Sequence, residues 1–106
     1  MGVNISVDLK DEVARIDLGR RLDATNAPSL QEELQKIIGQ KVSKMVFFAQ
    51  ELEYISSAGL RVIIFAKQKI GVDAHLYLIS PQEAVLNVMK MSGLDNFMTV
   101  QTEFSE

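Results

Sequence analysis

The sequence predicts an α/β fold in which a β-hairpin leads into strand–helix units and a mixed, mostly parallel sheet has helices packed against it. Three observations carry this expectation. Ile5, Val7 and Leu9 alternate with polar residues, and Ala14, Ile16 and Leu18 do the same after the turn Lys10-Asp11-Glu12, which describes a hairpin with one buried face. Val42 and the run Met45 to Ala49 are apolar on both sides and too short for a helix, as suits a central parallel strand covered on both faces. Helical spacing appears between and after these segments, so the connections are expected to be right-handed crossovers.

The first helix is introduced by the break from Gly19 to Pro28, and its apolar positions Leu30, Leu34, Ile37 and Ile38 recur at three and four residues. Thr25 or Asn26 can cap it, Pro28 fits a first turn that lacks N–H partners, and Gly39 suits a left-handed exit. Asp73 to Ile79 reads as the next strand. Ser80-Pro81-Gln82-Glu83 has the form of a capping box with proline at the first helical position. A third helix follows through Val85, Leu86 and Met89 and stops at Gly93, and Phe97 to Val100 can add a last strand.

A chain of 106 residues is expected to form one domain, residues 1–106, with no linker. Hydrophobic residues at 47% and charged residues at 24% suit a folded globular protein. A net charge of −3 argues against a nucleic-acid partner, whose grip would rest on clustered Lys and Arg. The absence of cysteine leaves no disulfide framework and fits a reducing compartment. The longest apolar run, Val62 to Ala66, is far below the roughly 20 residues of a membrane span, and no charged-then-apolar leader precedes Val3. No membrane insertion and a cytoplasmic location are therefore expected. Met1-Gly2-Val3-Asn4-Ile5-Ser6 satisfies a myristoylation pattern and is read as a chance match leading into the first strand.

The richest stretch is Leu52 to Arg61 with the apolar helix after it. Ser56 or Ser57 stands where a loop becomes a helix, and a hydroxyl there can accept hydrogen bonds from the unpaired N–H groups of the first turn. Projected at 100° per residue, Leu60, Ile63, Ala66 and Ile70 face the sheet, with Arg61, Gln68 and Lys69 opposite. Phe65 falls among the polar positions, either beneath a neighbouring helix or as an exposed anchor of the kind interfaces favour. Sites in open α/β sheets collect beyond the carboxyl ends of strands. The Asp23 loop and the loop running from Gln50 to Ser57 both leave such ends, so Asp23 and Ser57 share one rim if their strands are neighbours. Asp23 reads equally as a turn carboxylate and as a binding group. The candidate partner surface is Asp23, Ser57, Arg61 and Phe65, with Ser56 at its edge.

Catalysis is not expected. His75 is the only histidine and lies in a predicted strand without a nearby nucleophile. Ser56-Ser57-Ala58-Gly59 lacks the Gly-x-Ser-x-Gly elbow, and neither a phosphate-cradling loop nor a metal-ligand cluster is present, so neither cofactor nor metal is expected.

Leu52, Tyr54, Ile55, Ser56, Ser57, Ala58, Gly59 and Leu60 together resemble the signature of STAS domains, typified by bacterial anti-sigma factor antagonists. Gly19, Leu22 and Asp23 resemble the family's Gly-x-Leu-Asp segment, and Met91-Ser92-Gly93-Leu94 its later turn; the family's C-terminal helix is shortened to Gln101 to Glu106. Ser56 takes the place often held by Asp, and Phe48 a place often acidic or amide. The resemblance implies phosphorylation at Ser57 by a partner that is both an anti-sigma factor and a serine kinase of the histidine-kinase-like ATPase type. It implies binding of that kinase in the unphosphorylated form, release on phosphorylation, and restoration by a PP2C-type phosphatase. The alternative is a STAS-like scaffold that binds constitutively within a signalling or lipid-transport complex.

Overall fold

Period-two alternation builds the opening hairpin. In the computed structural model, which describes residues 5–104, β1 (Ser6–Lys10) and β2 (Val13–Asp17) pair antiparallel, with Leu9 opposite Ala14 and Val7 opposite Ile16. Asp11 and Glu12 turn the chain with positive φ at both positions, the hand that matches the twist of a two-residue hairpin. Residues 1–4 lie outside the description, and with them most of the Met-Gly pattern; residues 105 and 106 lie outside it too.

β4 (Lys44–Phe48) runs parallel to β2 on one side and to β6 (His75–Ile79) on the other, so the apolar run is the central strand. β7 (Met98–Gln101) extends the sheet parallel to β6, giving the order β1-β2-β4-β6-β7. The helices are α1 (Ala27–Gln35), α2 (Ser57–Lys69) and α3 (Glu83–Ser92), the last followed by a 3-10 turn at Leu94–Phe97. α3 ends where Gly93 takes φ of 80°, a conformation that costs glycine little.

Core residues of all three helices join one cluster with Ala14, Ile16, Met45, Phe47, Leu76 and Leu78. The other face carries a smaller cluster of Val13, Val46 and Ile79, against which Phe48, Tyr77 and Phe104 pack. The expected cover on both faces of the central strand is therefore uneven, with helices on one side and the ring of Phe104 on the other. Arg15 and Lys44 lie 5.8 and 5.9 Å from the centre of that ring.

Three local expectations are corrected. α1 ends at Gln35, so Ile37 is buried from a following turn and Ile38 is exposed; Gly39 does adopt positive φ beyond it. Ser80 does not cap α3: its φ is 52° and its N–H donates to the Gln101 carbonyl at 2.6 Å, which ties the segment to β7 and delays the helix to Glu83. On α2 the buried arc is Gly59, Val62, Ile63 and Ala66, with Leu60 and Ile70 only half-buried. The helix is thus turned so that its glycine, rather than Leu60, meets the sheet side.

Candidate functional site at the rim of the sheet

Two very short strands, unannounced by any periodicity, build the site. β3 (Arg21–Leu22) and β5 (Tyr54–Ile55) pair parallel as a separate two-stranded sheet beyond the carboxyl ends of β2 and β4. The Glu53 N–H donates to the Arg20 carbonyl at 2.7 Å and the Ser56 N–H to the Leu22 carbonyl at 2.9 Å. Side chains reinforce the pairing: Arg20 Nη2 lies 2.8 Å from Glu53 Oε2, and the Arg21 guanidinium sits 4.9 Å above the Tyr54 ring. Arg20 holds the Glu53 carboxyl below its usual range.

Asp23 leaves β3 into a tight turn. Its carboxylate accepts from the Thr25 hydroxyl and, at 2.9 Å, from the Thr25 N–H, while Arg21 Nε lies 3.5 Å from the other oxygen. The Thr25 hydroxyl first, then its N–H and Arg21, hold the Asp23 carboxyl below the ordinary aspartate range. Asn26 stands at the start of α1, but its side chain closes the turn instead of capping. It accepts from the Asp23 N–H at 2.9 Å and donates to the Arg21 carbonyl at 2.7 Å.

At the end of β5 the two serines separate in role. Ser56 is the N-cap of α2, and its hydroxyl accepts from the Gly59 N–H at 3.2 Å. Ser57 is the first helical residue, exposed, with no hydrogen-bond partner for its hydroxyl among the described residues. Gly59 is where α2 presses on the paired loops: a Cβ there would lie 2.8 Å from the Leu22 carbonyl oxygen and 2.8 Å from Leu22 Cγ. Any side chain would push the loops apart.

Arg61 follows Ser57 by four residues, so the two share a helix face; it is exposed and makes no ion pair among the described residues. With Ala58 and Val62 it walls a groove of about 490 Å³ against Ala24, Ala27 and Pro28 of the α1 side. Phe65 lies a further turn along, half-buried and packed on the main core. The structure thus gathers Asp23, Ser56 and Ser57 at one rim, extends it through Arg61, and leaves Phe65 at its margin, drawn in toward the core. Sequence reasoning gave no site role to Arg20, Arg21 or Glu53, nor to Tyr54, which it used only as part of the signature. The opposed charges of Arg20-Arg21 and Glu51 to Glu53 were the available signal.

Among the described residues no group of three or more His, Cys, Asp or Glu could hold a metal, and no helix is long and apolar enough to cross a membrane.

Comparison with known proteins places the chain in a family. An anti-sigma factor antagonist by name, BtrV of Bordetella bronchiseptica, is 36% identical over 73 residues, which is 68% of this chain and 63% of BtrV. The matched stretch thus spans less than two thirds of that relative. The structure of SpoIIAA in its unphosphorylated form superposes with a TM-score of 0.81 at 21% identity, covering 94% of this chain and 90% of that one. The phosphorylated form of the Bacillus SpoIIAA gives 0.74 at 20% identity, with 94% and 93% covered. The family description "STAS domain" matches residues 4–106, and with that coverage the chain belongs to the STAS-domain family.

Proposed function

We propose that this chain is an anti-sigma factor antagonist that binds its partner through the rim at the start of α2 and is switched off by phosphorylation of Ser57. The observation that carries this reading is the division of labour between the serines. Ser56 caps the helix, so the exposed hydroxyl of Ser57 is spare and can accept a phosphate without loss of the cap. The name of BtrV and the existence of SpoIIAA in two phosphorylation states support it.

The energetics favour a switch of binding over a switch of folding. A phosphate adds about −1.5 to −2 charges, and at a helix N-terminus it gains about 0.3–1 kcal/mol from the dipole. Burying the same anion against a partner without compensating cations costs several kcal/mol, while a micromolar complex holds only about 8 kcal/mol. The partner in this reading is an anti-sigma factor that is also a serine kinase of the histidine-kinase-like ATPase type, opposed by a PP2C-type phosphatase. Ser57 and Arg61 form the centre of the contact, Asp23 and Ser56 shape its edge, and Phe65 stiffens the helix face beneath it.

Incubation with such a kinase and ATP is expected to add one phosphate to the wild type, located at Ser57 by mass spectrometry, and none to Ser57→Ala. Phosphate incorporation into Ser57→Ala at the wild-type rate contradicts the assignment.

A further inference from the structure

The two edges of the main sheet are unlike. β1 carries Asp8 and Lys10, the charges with which natural edge strands discourage pairing with another chain. β7, at the opposite edge, reads Met98-Thr99-Val100-Gln101 and is followed by Thr102, with neither a charge nor a proline among the five.

The hydrogen-bond directions on β7 follow from one contact. The Gln101 carbonyl accepts from the Ser80 N–H, at the end of β6, so Gln101 and, by alternation, Thr99 turn their backbone groups toward β6. Met98 and Val100 then turn theirs to the open edge. The Met98 N–H is taken by the Asp95 carbonyl. That leaves the Met98 carbonyl and both backbone groups of Val100 facing outward.

The flank of this edge exposes apolar side chains, with one lysine beside them. Of the six large apolar residues exposed among those described, Phe97 (57%) and Val100 (41%) lie at and within the strand, with Lys67 Nζ 4.2 Å from the centre of the Phe97 ring. Val72, also among the six, lines one hollow with Phe97. Apolar groups gathered beside an unblocked edge are the ordinary composition of an association surface.

We propose that β7 pairs antiparallel with β7 of a second copy of this chain, centred on Val100. A two-fold axis there lets the two Val100 residues exchange both backbone hydrogen bonds, while each Met98 carbonyl meets the Thr102 N–H of the other copy. The residues brought opposite one another, 98 with 102 and 99 with 101, are uncharged, so the pairing sets no like charges face to face. Because the interface is self-complementary it closes at two copies and makes one continuous sheet. The Ser57 rim belongs to other elements, so each copy keeps its own.

The test is sedimentation of the full chain over a concentration series at about 0.15 M salt, where the screening length is about 8 Å, with amide hydrogen exchange read in parallel. The wild type is expected to double in mass with rising concentration. Its Val100 amide, which has no partner among the described residues of a single copy, should exchange at least tenfold more slowly at high concentration than at low. Val100→Lys and, separately, Phe97→Ser are expected to stay monomeric with unchanged far-UV circular dichroism. A wild type that remains monomeric overturns the proposal, as does a dimer that survives Val100→Lys. Protection of the Val100 amide independent of concentration also overturns it, since another segment would then occupy the edge.

Discussion

The Ser56 amide donates to the Leu22 carbonyl at 2.9 Å, and this one bond joins the loop that carries Asp23 to the helix that carries Ser57. Beside it the Gly59 position approaches the same carbonyl so closely that a Cβ would stand 2.8 Å away. The rim is therefore assembled by backbone, and its side chains are placed on a frame that tolerates little at Gly59 and much at Ser57.

Gly59→Ala tests the frame. Alanine gains about 1 kcal/mol of helix propensity over glycine, but overpacking costs about 1–3 kcal/mol, and against the Leu22 carbonyl, a backbone group that cannot swing aside, the upper part of that range applies, about 2–3 kcal/mol. A net loss of about 1–2 kcal/mol is expected in urea unfolding. An alanine variant as stable as the wild type would contradict the close approach.

Ser56→Ala and Ser57→Ala should part company. Loss of the cap costs about 0.5–1 kcal/mol, the low end of the usual range, because the bond to the Gly59 N–H is 3.2 Å long. Removal of the exposed Ser57 hydroxyl should leave the unfolding midpoint unchanged. Equal losses at the two positions would show that Ser57 shares the capping.

Acid should weaken the rim. The Asp23 carboxyl is held low chiefly by the Thr25 hydroxyl, and Glu53 by Arg20. A group whose pKa is depressed by folding stabilises the native state above its unfolded value, about 4 for these carboxyls. That contribution is lost as pH falls through the lower folded value. Unfolding midpoints should therefore fall below about pH 4, and Asp23→Asn should flatten that fall. An undiminished acid slope in Asp23→Asn would remove Asp23 from the account.

The surface pair of Arg20 and Glu53 should matter little by itself. Both side chains are about half exposed, and exposed pairs contribute about 0.2–1 kcal/mol. Arg20→Ala should lower stability by less than about 1 kcal/mol, with the loss shrinking in high salt. A larger, salt-independent loss would mean that Arg20 supports the β3–β5 pairing through packing.

Much of this architecture could be read from residue patterns. Alternation at Ile5 to Leu18 and the doubly apolar run ending at Ala49 located the hairpin and the central strand, because burial imposes those periods directly. β3 and β5 could not be found that way, since two residues carry no period and their pairing depends on loops brought together by the rest of the fold. The sequence left open which serine caps; the backbone decides it by starting α2 one residue after Ser56. Ser80 failed as a cap for a tertiary reason, the bond from its N–H to Gln101. The α2 projection erred by favouring Leu60, when the tight contact needed Gly59. Phe65, ambiguous in projection, proves half-buried.

The central claim is most directly tested by retention of a partner from native lysate on immobilised wild type, Ser57→Ala and Ser57→Glu, quantified by mass spectrometry. Wild type and Ser57→Ala are expected to retain the same histidine-kinase-like ATPase, with at least tenfold less on Ser57→Glu, equivalent to about 1.4 kcal/mol or more. Equal retention by all three would contradict the switch and identify the domain as a constitutive scaffold.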